Sequence, residues 1–341
     1  MAIDFFASSI HYIDHLVPIY NQLSDKYKGN FYTRENLIET LDNLNIDAKP
    51  LQEKNDLEIT LTSSFGDLRD ARKTGAPIII SEHGAGQSYK DNYSPAYIGG
   101  IDRRGAIAAL VPGIKQAEKQ LKAYPTIPVY PIGIPKLDNY HKNLDLYNSK
   151  VKKDSVVISF HWDCKVEQET RSCYRFYKSI IKEMKKDFNI KIHGHPRDIK
   201  KYKAFADYIK VDHLETFDQV IEEGWIYCCD NSSTIFEWIS LNRPVVLLNC
   251  HLYRKNIEHG MRFWEYADIG PNVDVPKTFP NVLQKALTNH TQYQQRREEV
   301  KNEVYFQPDG QGAKRACLAL EDIHNNYHDS ATNNKIYTFN L

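Results

Sequence analysis

Residues 225–238 read WIYCCDNSSTIFEW and contain one complete strand–turn–helix pattern. Five apolar or aromatic residues follow one another up to Cys229, which is typical of a parallel strand that is covered on both faces. Asp230 and Asn231 then offer turn-forming side chains, and three hydroxyl residues open an amphipathic stretch that reaches Trp238. The stretch therefore predicts one βα unit of an α/β protein.

The same alternation of short apolar runs and longer amphipathic stretches continues in both directions from this unit. Strands are predicted at residues 3–7, 57–62, 76–81, 106–111 and 129–132, and again at 155–160, 190–193, 225–229 and 245–248. Residues 167–186 exemplify the stretches between them, because their larger apolar side chains recur at helical spacing. The whole pattern predicts an α/β fold with parallel, doubly wound sheets.

The chain of 341 residues is long enough for two domains of roughly 100–200 residues each. Residues 139–154 (NYHKNLDLYNSKVKKD) are rich in charge and Asn, and a predicted strand starts directly after them. We therefore expect an N-terminal domain over 1–145, a C-terminal domain over 146–320 and a tail over 321–341. Open parallel sheets bind ligands at the carboxyl ends of their strands, so the residues that follow each strand are the candidates for chemistry.

Composition argues against several classes of function. Lys and Arg together number 44, as do Asp and Glu, so the net charge is zero and a broad basic surface for nucleic acid or anionic lipid is not indicated. No apolar stretch approaches the roughly 20 residues that span a bilayer, and residues 1–16 lack the basic region of a signal peptide. The six cysteines show no C-x-x-C spacing. We expect a cytoplasmic protein with reduced thiols, no metal, no cofactor and no stable membrane insertion.

In the first half, His83 and Gly84 follow the strand predicted at 76–81. A histidine at this position can act as a general base, because its pKa lies near neutrality. It can equally be a turn histidine that bonds to the backbone. Residues 133–138 (GIPKLD) follow the strand at 129–132 and include Lys136 and Asp138, but taken alone they predict only a turn.

In the second half, His193, His195 and Arg197 follow the strand predicted at 190–193. They favour an anion site over a metal site, because no cysteine or carboxylate pair completes a ligand set. Ser232, Ser233 and Thr234 would place hydroxyls and backbone N–H groups at a helix N-terminus, which predicts a phosphate site or simple helix capping.

Glu237 lies within one turn of these hydroxyls. Its carboxylate either reaches a ribose hydroxyl or completes a capping box with Thr234.

Seven short motifs stand in a fixed order over roughly residues 80–320. They are His83-Gly84, GIPKLD at 133–138, His195-Pro196, DNSS at 230–233, Arg243-Pro244, Gly270-Pro271, and Asp309-Gly310 with Arg315. Together they resemble the CDP-glycerol glycerophosphotransferase family, the teichoic-acid primases and polymerases. Its members are similar to GT-B glycosyltransferases, which have two Rossmann-like domains that face a central cleft.

The resemblance implies roles for named residues. His83 would be the base that deprotonates an acceptor hydroxyl, which attacks the β-phosphate of the donor so that CMP leaves, and His195 would neutralise developing charge. The implied donor-binding residues are Arg197, Asp230, Ser232, Ser233, Thr234, Glu237, His259 and Arg262, and those expected on the acceptor side are His11, Gly84, Lys136 and Asp138.

Two departures from the family pattern keep alternatives open. The first motif continues as AGQS at 85–88, with Lys90 displaced, where the family has T-P-L-K, and His259-Gly260 replaces Arg-Gly. A GT-B glycosyltransferase that uses a UDP-sugar, a sugar-nucleotide 2-epimerase and a non-catalytic nucleotide-binding protein are the alternatives. The expected partners are a nucleotide-diphosphate donor and a hydroxyl-bearing acceptor, which is a polymer, a lipid-linked sugar or a modified nucleotide.

Overall fold

The computed structural model describes residues 2–52, 57–85, 105–163, 171–253, 264–326 and 336–338. The chain forms two compact units. The first comprises Met1–Lys142 together with Asn302–Leu341, and the second comprises Asn143–Lys301. Each unit has its own parallel sheet, so the predicted α/β class is confirmed.

The first unit contains a seven-stranded sheet in which all neighbouring strands are parallel. The strands are β1 (Ile3–Ala7), β2 (Lys28–Thr33), β3 (Ala48–Pro50), β4 (Ile59–Thr62), β5 (Ile78–Ser81), β6 (Ala106–Val111) and β7 (Val129–Pro131). They are arranged β3-β2-β1-β4-β5-β6-β7. The order reverses between β1 and β4, which is where a doubly wound sheet opens a ligand-binding crevice.

The second unit contains a six-stranded parallel sheet in the order β10-β9-β8-β11-β12-β13. Its strands are β8 (Ser155–Phe160), β9 (Asn189–Gly194), β10 (Asp212–His213), β11 (Ile226–Cys229), β12 (Val245–Leu248) and β13 (Asn272–Val273). Here the order reverses between β8 and β11, so the residues that follow these two strands lie at the switch point.

Helices connect the strands. They are α1 (Ile10–Gln22), α2 (Ile38–Asp42), α3 (Phe65–Ala71), α4 (Ile114–Ala123), α5 (Asp138–Lys142), α6 (Leu144–Lys150), α7 (Tyr174–Met184), α8 (Ile199–Ile209), α9 (Phe217–Glu223), α10 (Thr234–Ile239), α11 (Phe279–Thr288), α12 (Gln294–Val304) and α13 (Gly312–Asn326). Phe5 and Phe6 of β1 are both fully buried, but they belong to separate apolar clusters. The first sheet is therefore covered on both faces, as its continuous apolar strands predict.

The domain prediction needs correction at the C-terminal end. Residues 302–320 were expected in the second domain, but α13 packs against α1 in the first unit. Ala316 and Leu320 of α13 share an apolar cluster with Ile13 and Leu16 of α1. Part of the expected tail belongs to the first unit, because α13 continues to Asn326 and Ile336 forms a β-bridge to Val129 of β7.

All nine predicted strands are present, with ends shifted by at most two residues. The prediction missed β2, β3, β10 and β13, because β2 begins with a polar Lys-Gly-Asn and the other three are only two or three residues long. The polar stretch at 139–154 is largely helical, as α5 and α6, and not an open linker. Of the helix predicted at 167–186, α7 covers Tyr174–Met184, and residues 167–170 lie outside the described part.

Among the described residues, no helix combines the length and the apolar character that crossing a membrane requires. Five of the six cysteines lie in the described part, at 173, 228, 229, 250 and 317, and all five are free and buried.

Candidate active site

His83 lies at the carboxyl edge of the first sheet, two residues after β5. Its ring Nδ1 donates a hydrogen bond to the carbonyl oxygen of Ser63, 2.6 Å away, directly after β4. A carbonyl can only accept, so in the neutral ring Nδ1 carries the proton and Nε2 keeps its lone pair. The backbone of one strand end thus fixes the ring of the next in the tautomer that a general base requires.

Three aromatic side chains from the first turns of α1 surround His83. The ring centroid of Tyr12 lies 4.9 Å from that of His83, and those of His15 and His11 lie 6.0 and 6.3 Å away. The hydroxyl of Ser9, the residue before α1, lies 2.9 Å from His11 Nδ1. His11 therefore lies beside His83, and its contact with an acceptor stays a prediction.

His15 is the buried member of this histidine group. Burial lowers its pKa well below the usual value, and the positive charges of Lys136, His83 and His11 lower it further. The ring is therefore neutral at neutral pH, and any charge on the group resides on its neighbours. The effect of Lys136 on the His15 pKa places this lysine near the histidines, and its contact with an acceptor stays a prediction.

A small crevice adjoins this group within the first unit. It is lined by His15, His83 and Tyr305 and by the turn from Ile132 to Pro135. Gly84 follows His83 and is buried. The crevice lies at the carboxyl ends of β5 and β7, where a parallel sheet presents its ligand-binding residues.

Asp138 does not contribute its carboxylate to this crevice. The two carboxylate oxygens accept hydrogen bonds from the backbone N–H groups of Gly312 and Ala313, at 2.9 and 2.7 Å. Asp138 is buried, and burial raises its pKa against the opposing effect of these hydrogen bonds. The expected acceptor-side residue is instead a cap on the first turn of α13.

Arg315 of α13 also bonds to the segment that leads to Asp138, and its side chain is almost fully buried. Its guanidinium forms a two-pronged pair with Asp309, at 2.8 and 3.0 Å, and donates to the carbonyl oxygens of Ile132 and Gln307. Gly133 has φ +83°, and a Cβ there would lie 2.7 Å from the carbonyl oxygen of Phe306. The motifs at 133–138 and 309–315 therefore hold each other in place.

In the second unit, Asp230 follows β11 at the switch point and is fully buried. Its Oδ1 accepts from the backbone N–H groups of His161 and Asn231, at 2.8 and 2.5 Å. Its Oδ2 accepts from Ser172 Oγ and the backbone N–H of Cys173, at 3.2 and 3.1 Å. Asp230 thus positions the loop that follows β8 and leads into α7. The sequence suggested that its carboxylate binds the donor, but in the structure it binds these backbone N–H and hydroxyl groups.

The hydroxyl residues at 232–234 bond mainly to one another. Ser232 Oγ accepts from Thr234 Oγ1 at 2.7 Å, and Thr234 Oγ1 lies 2.8 Å from the hydroxyl of Tyr227. Ser233 occupies the N-cap position of α10, but its side chain makes no capping hydrogen bond. Ser232 Oγ also accepts from the backbone N–H of Thr234 at 3.3 Å, so the side-chain hydrogen bond to the start of α10 comes from Ser232 and not from Ser233.

Glu237 lies in the first turn of α10 and is buried. Helix α10 begins at Thr234, so Thr234 is the first helical residue and not the N-cap. The capping box between Thr234 and Glu237 is accordingly absent. Contact of Glu237 with a ribose stays a prediction.

His195 follows β9, and its ring is held in the opposite tautomer to that of His83. The backbone N–H of Arg197 donates to His195 Nδ1 at 3.2 Å, so in the neutral ring Nε2 carries the proton. Nε2–H is then a hydrogen-bond donor suited to a phosphate oxygen. Arg197 is exposed and stacks its guanidinium 4.4 Å from the ring centre of Trp162.

Sequence interpretation missed His161, which follows β8 directly. The rings of His161 and His195 lie 5.1 Å apart, and His161 Nδ1 donates to the carbonyl oxygen of Trp162 at 3.0 Å. The structure therefore brings His161, His195 and Arg197 together at the carboxyl ends of β8 and β9. Its position in the sequence could have identified it as a candidate, because His161 is the first residue after a predicted strand.

Two predicted donor-binding residues, His259 and Arg262, lie outside the described residues, as do Lys90 and residues 86–88. In the ranges that the structure does describe, no group of three or more His, Cys, Asp or Glu side chains is arranged to hold a metal ion.

Solved structures with the same fold include a variant of the wall teichoic acid polymerase TagF soaked with CDPG, with a TM-score of 0.64 and 15% identity over 96% of this chain and 90% of that chain. The UDP-GlcNAc 2-epimerase of Neisseria meningitidis bound to UDP-GlcNAc has a TM-score of 0.59 and 15% identity over 94% of this chain and 100% of that chain. S. aureus MnaA with UDP has a TM-score of 0.61 and 14% identity over the full length of both chains. At these identities the likeness concerns the fold, which is GT-B-like.

No curated protein sequence matches the chain. The model of one sequence family, described as CDP-Glycerol:Poly(glycerophosphate) glycerophosphotransferase, matches residues 122–322. That match covers more than half of the 341 residues and six of the seven ordered motifs. The chain therefore belongs to the CDP-glycerol:poly(glycerophosphate) glycerophosphotransferase family.

Proposed function

We propose that the protein transfers glycerol phosphate from CDP-glycerol to the hydroxyl of an acceptor and releases CMP. The acceptor oxygen forms a bond to the β-phosphorus of the donor, and the bond between that phosphorus and the bridging oxygen of CMP breaks. The hydroxyl proton passes to a base of the protein. The observation that carries this proposal is the tautomer of His83: the Ser63 carbonyl accepts from Nδ1–H, so the basic nitrogen of the neutral ring is Nε2.

The neighbours of His83 favour the same role. Its ring packs against those of Tyr12 and His15, and burial keeps the His15 ring neutral. The crevice next to His83 is narrow and is bounded by backbone at Ile132–Pro135. With a volume of about 10 Å³ it holds a single hydroxyl group, and we propose that a polyol-phosphate acceptor presents its reactive hydroxyl here.

The donor phosphates are proposed to bind at the switch point of the second sheet. His195 donates through Nε2–H, Arg197 supplies a fixed positive charge, and His161 adds a further ring nitrogen beside them. The backbone N–H groups of Ser232 and Ser233 lie directly before α10 and donate no hydrogen bond within the described part of the chain. We propose that they donate to the phosphate oxygens of the donor. Glu237 is proposed to bind the ribose.

Site and composition also suggest the cellular context. The five described cysteines are buried and free, which suits a reducing compartment, and we propose a cytoplasmic location. The zero net charge indicates no broad basic surface for nucleic acid, and the proposed acceptor is the polyol phosphate named above. A nucleic-acid acceptor is not proposed.

One alternative donor class has specific support. Two of the similar folds bind UDP or UDP-GlcNAc, and residues 85–90 depart from the T-P-L-K pattern of the family. In a glycosyltransferase the same phosphate site would hold a UDP-sugar, and the acceptor would attack the anomeric carbon.

Calorimetric titration distinguishes the two donor classes. The titrants are CDP-glycerol, CDP, CMP, UDP, UDP-glucose and UDP-N-acetylglucosamine, each added to the whole chain. We expect CDP to bind at least tenfold more tightly than UDP, and CDP-glycerol at least tenfold more tightly than either UDP-sugar, a difference of about 1.4 kcal/mol in each case. Preference for the uridine ligands would replace the proposed reaction with sugar transfer.

A further inference from the structure

A second pocket of the second unit lies at the amino-terminal edge of its sheet, away from the strand ends that hold His161 and His195. Its floor is formed by Pro244 and Val245 at the start of β12 and by Pro271 and Asn272 at the start of β13. The remaining walls come from α11, from α12 and from the loop between them. The pocket has a volume of about 230 Å³.

Arg297 of α12 lines this pocket and is only 2% exposed. Its Nη2 donates to the carbonyl oxygen of His290 at 3.2 Å. Its Nε is buried and has no hydrogen-bond partner in the part of the chain that is described. Within those same residues, Arg297 also forms no ion pair of the kind that Arg296 makes with Asp268.

This environment is unusual for an arginine. Burial lowers the pKa of Arg297 to about 10, and no neighbouring carboxylate opposes the effect. The guanidinium still carries its charge at neutral pH, because that pKa remains well above 7. A buried charge with a single neutral acceptor is costly, so an anion that supplied further acceptors would be strongly favoured.

The other polar groups of the pocket are one cation and several neutral hydrogen-bonding groups. Lys285 supplies the further positive charge, His290, Asn289, Gln292 and Tyr293 line the pocket with it, and none of the described lining residues is acidic. The His290 ring contacts Trp225 at 5.6 Å, and Lys153 Nζ lies 3.2 Å from the centre of the same Trp ring. Lys153 and Lys285 are therefore the lysines in the surroundings of Arg297.

We propose that this pocket binds a small phosphate-class oxyanion through the guanidinium of Arg297, with Lys285 and the amide of Asn289 as further donors. The planar guanidinium donates two parallel hydrogen bonds to such an anion, which a point charge cannot do. The pocket is smaller than the roughly 300–1,000 Å³ that drug-sized ligands occupy, so it suits a phosphate group and not a whole nucleotide. This site is separate from the proposed donor site and does not depend on the identity of the donor.

Thermal unfolding with inorganic phosphate tests the proposal, at constant ionic strength with chloride as the reference anion. Phosphate should raise the melting temperature of the wild-type chain, since a ligand of the native state stabilises it. In Arg297→Met the apparent affinity for phosphate should fall about tenfold or more, because charge-assisted hydrogen bonds are lost. The matched control Arg296→Gln changes the adjacent, partly exposed arginine and should leave the phosphate effect unchanged.

An equal phosphate effect in Arg297→Met and wild type would overturn the proposal. If Arg297→Met does not fold, crystals of the wild-type chain soaked in tungstate give an independent answer. Density within hydrogen-bond distance of Arg297 Nε supports the site, and an empty pocket overturns it.

The same melting assay with glycerol 3-phosphate and with a short phosphodiester polymer identifies the source of the anion. Stabilisation by inorganic phosphate and the monoester alone assigns a free phosphate or a chain end. Stabilisation by the polymer as well assigns an internal phosphodiester. In either case, the rise in melting temperature that these ligands cause in wild type must be lost in Arg297→Met for the binding to be assigned to this pocket.

Discussion

At the residue scale, the two histidines predicted to act in the reaction are held in opposite tautomers by backbone groups. His83 donates through Nδ1 to Ser63, and His195 accepts through Nδ1 from Arg197. One ring therefore offers a basic nitrogen and the other offers a proton. This division suits a transfer in which an acceptor hydroxyl loses a proton while a phosphate gains negative charge.

Residue type and position after a strand predicted His83, His195 and Arg197. The same rule applied to His161 would have found it too. Asp230 and Asp138 were misassigned because sequence shows a carboxylate but not what it accepts from, and both prove to bind backbone N–H groups. The partners of Asp138 are 174 and 175 residues away, a separation that no local pattern reveals.

Asp67 of α3 gives a pH-dependent prediction at this scale. It is fully buried, and burial raises its pKa from 3.8 to about 6, although hydrogen bonds from Ser8 and Ser64 act in the opposite direction. Between pH 4 and 6 the native state binds a proton that the unfolded state releases, so the contribution of Asp67 to the unfolding free energy falls as pH rises. Asp67→Asn removes this contribution.

The unfolding free energy of Asp67→Asn relative to wild type should therefore increase by up to about 3 kcal/mol from pH 4 to pH 7. Urea denaturation at both pH values measures the difference. Asp70→Asn is the control, because Asp70 is partly exposed and pairs with Arg34 and Lys73. A difference that does not change with pH would show that Asp67 titrates normally in the folded chain.

At the element scale, several family motifs act as structural connections. Arg243 of the Arg-Pro motif is fully buried and donates to Asn148 and to the carbonyl oxygens of Ile221 and Gly224. Gly270 of the Gly-Pro turn lies so close to β12 that a Cβ would be 2.3 Å from the Val245 carbonyl oxygen. These motifs thus mark packing constraints and not ligand contacts.

The hydrogen bonds that Gly312 and Ala313 donate to Asp138 link α13 to α5, so removing their acceptor should destabilise the protein. Asp138→Ala should lower the unfolding free energy by about 2–4 kcal/mol, because the buried N–H groups of Gly312 and Ala313 lose their acceptor. Asp145→Ala, at an exposed position on α6, is the control. Chemical denaturation compares the two, and equal stability of both variants would mean that the Asp138 cap contributes nothing.

Strands were predictable where the apolar run is long enough, since β1, β6, β8 and β12 have four to six mostly apolar residues and begin and end where expected. Of the four edge strands, β7 was predicted, but β3, β10 and β13 were not, because their two or three residues include too few apolar side chains to form a pattern. The helical nature of 139–154 was hidden by its polar composition. Its helices α5 and α6 are only five and seven residues long, so their periodicity is weak.

At the scale of the whole molecule, the chain leaves the first unit after Lys142 and returns to it from Asn302. The return supplies part of the core of the first unit, because Ala316, Leu320 and Ile323 lie in the same apolar cluster as Phe5 and Leu61. Sequence alone suggested two consecutive domains, since the long-range contact between α1 and α13 leaves no local pattern.

Fragments test this division. Residues 143–301 expressed alone should fold and bind CMP, because their sheet and the proposed donor site lie within the fragment. Residues 1–142 alone should be largely unfolded by circular dichroism, and joining them to 302–341 through a Gly-Ser linker should restore the fold. A stably folded 1–142 fragment would contradict the role given to α13.

The most direct measurement of the proposed reaction is CMP release from CDP-glycerol in a single turnover with a glycerol-phosphate acceptor, together with calorimetric donor affinity. His83→Ala should lower the rate by about 10²–10⁴-fold, as expected for loss of a general base, while donor affinity stays within about threefold of wild type. His324→Ala, a histidine of α13 that contacts Tyr27, is the control and should match wild type. An unchanged rate in His83→Ala, or an equal loss of donor binding, would contradict the assignment of His83 as the base.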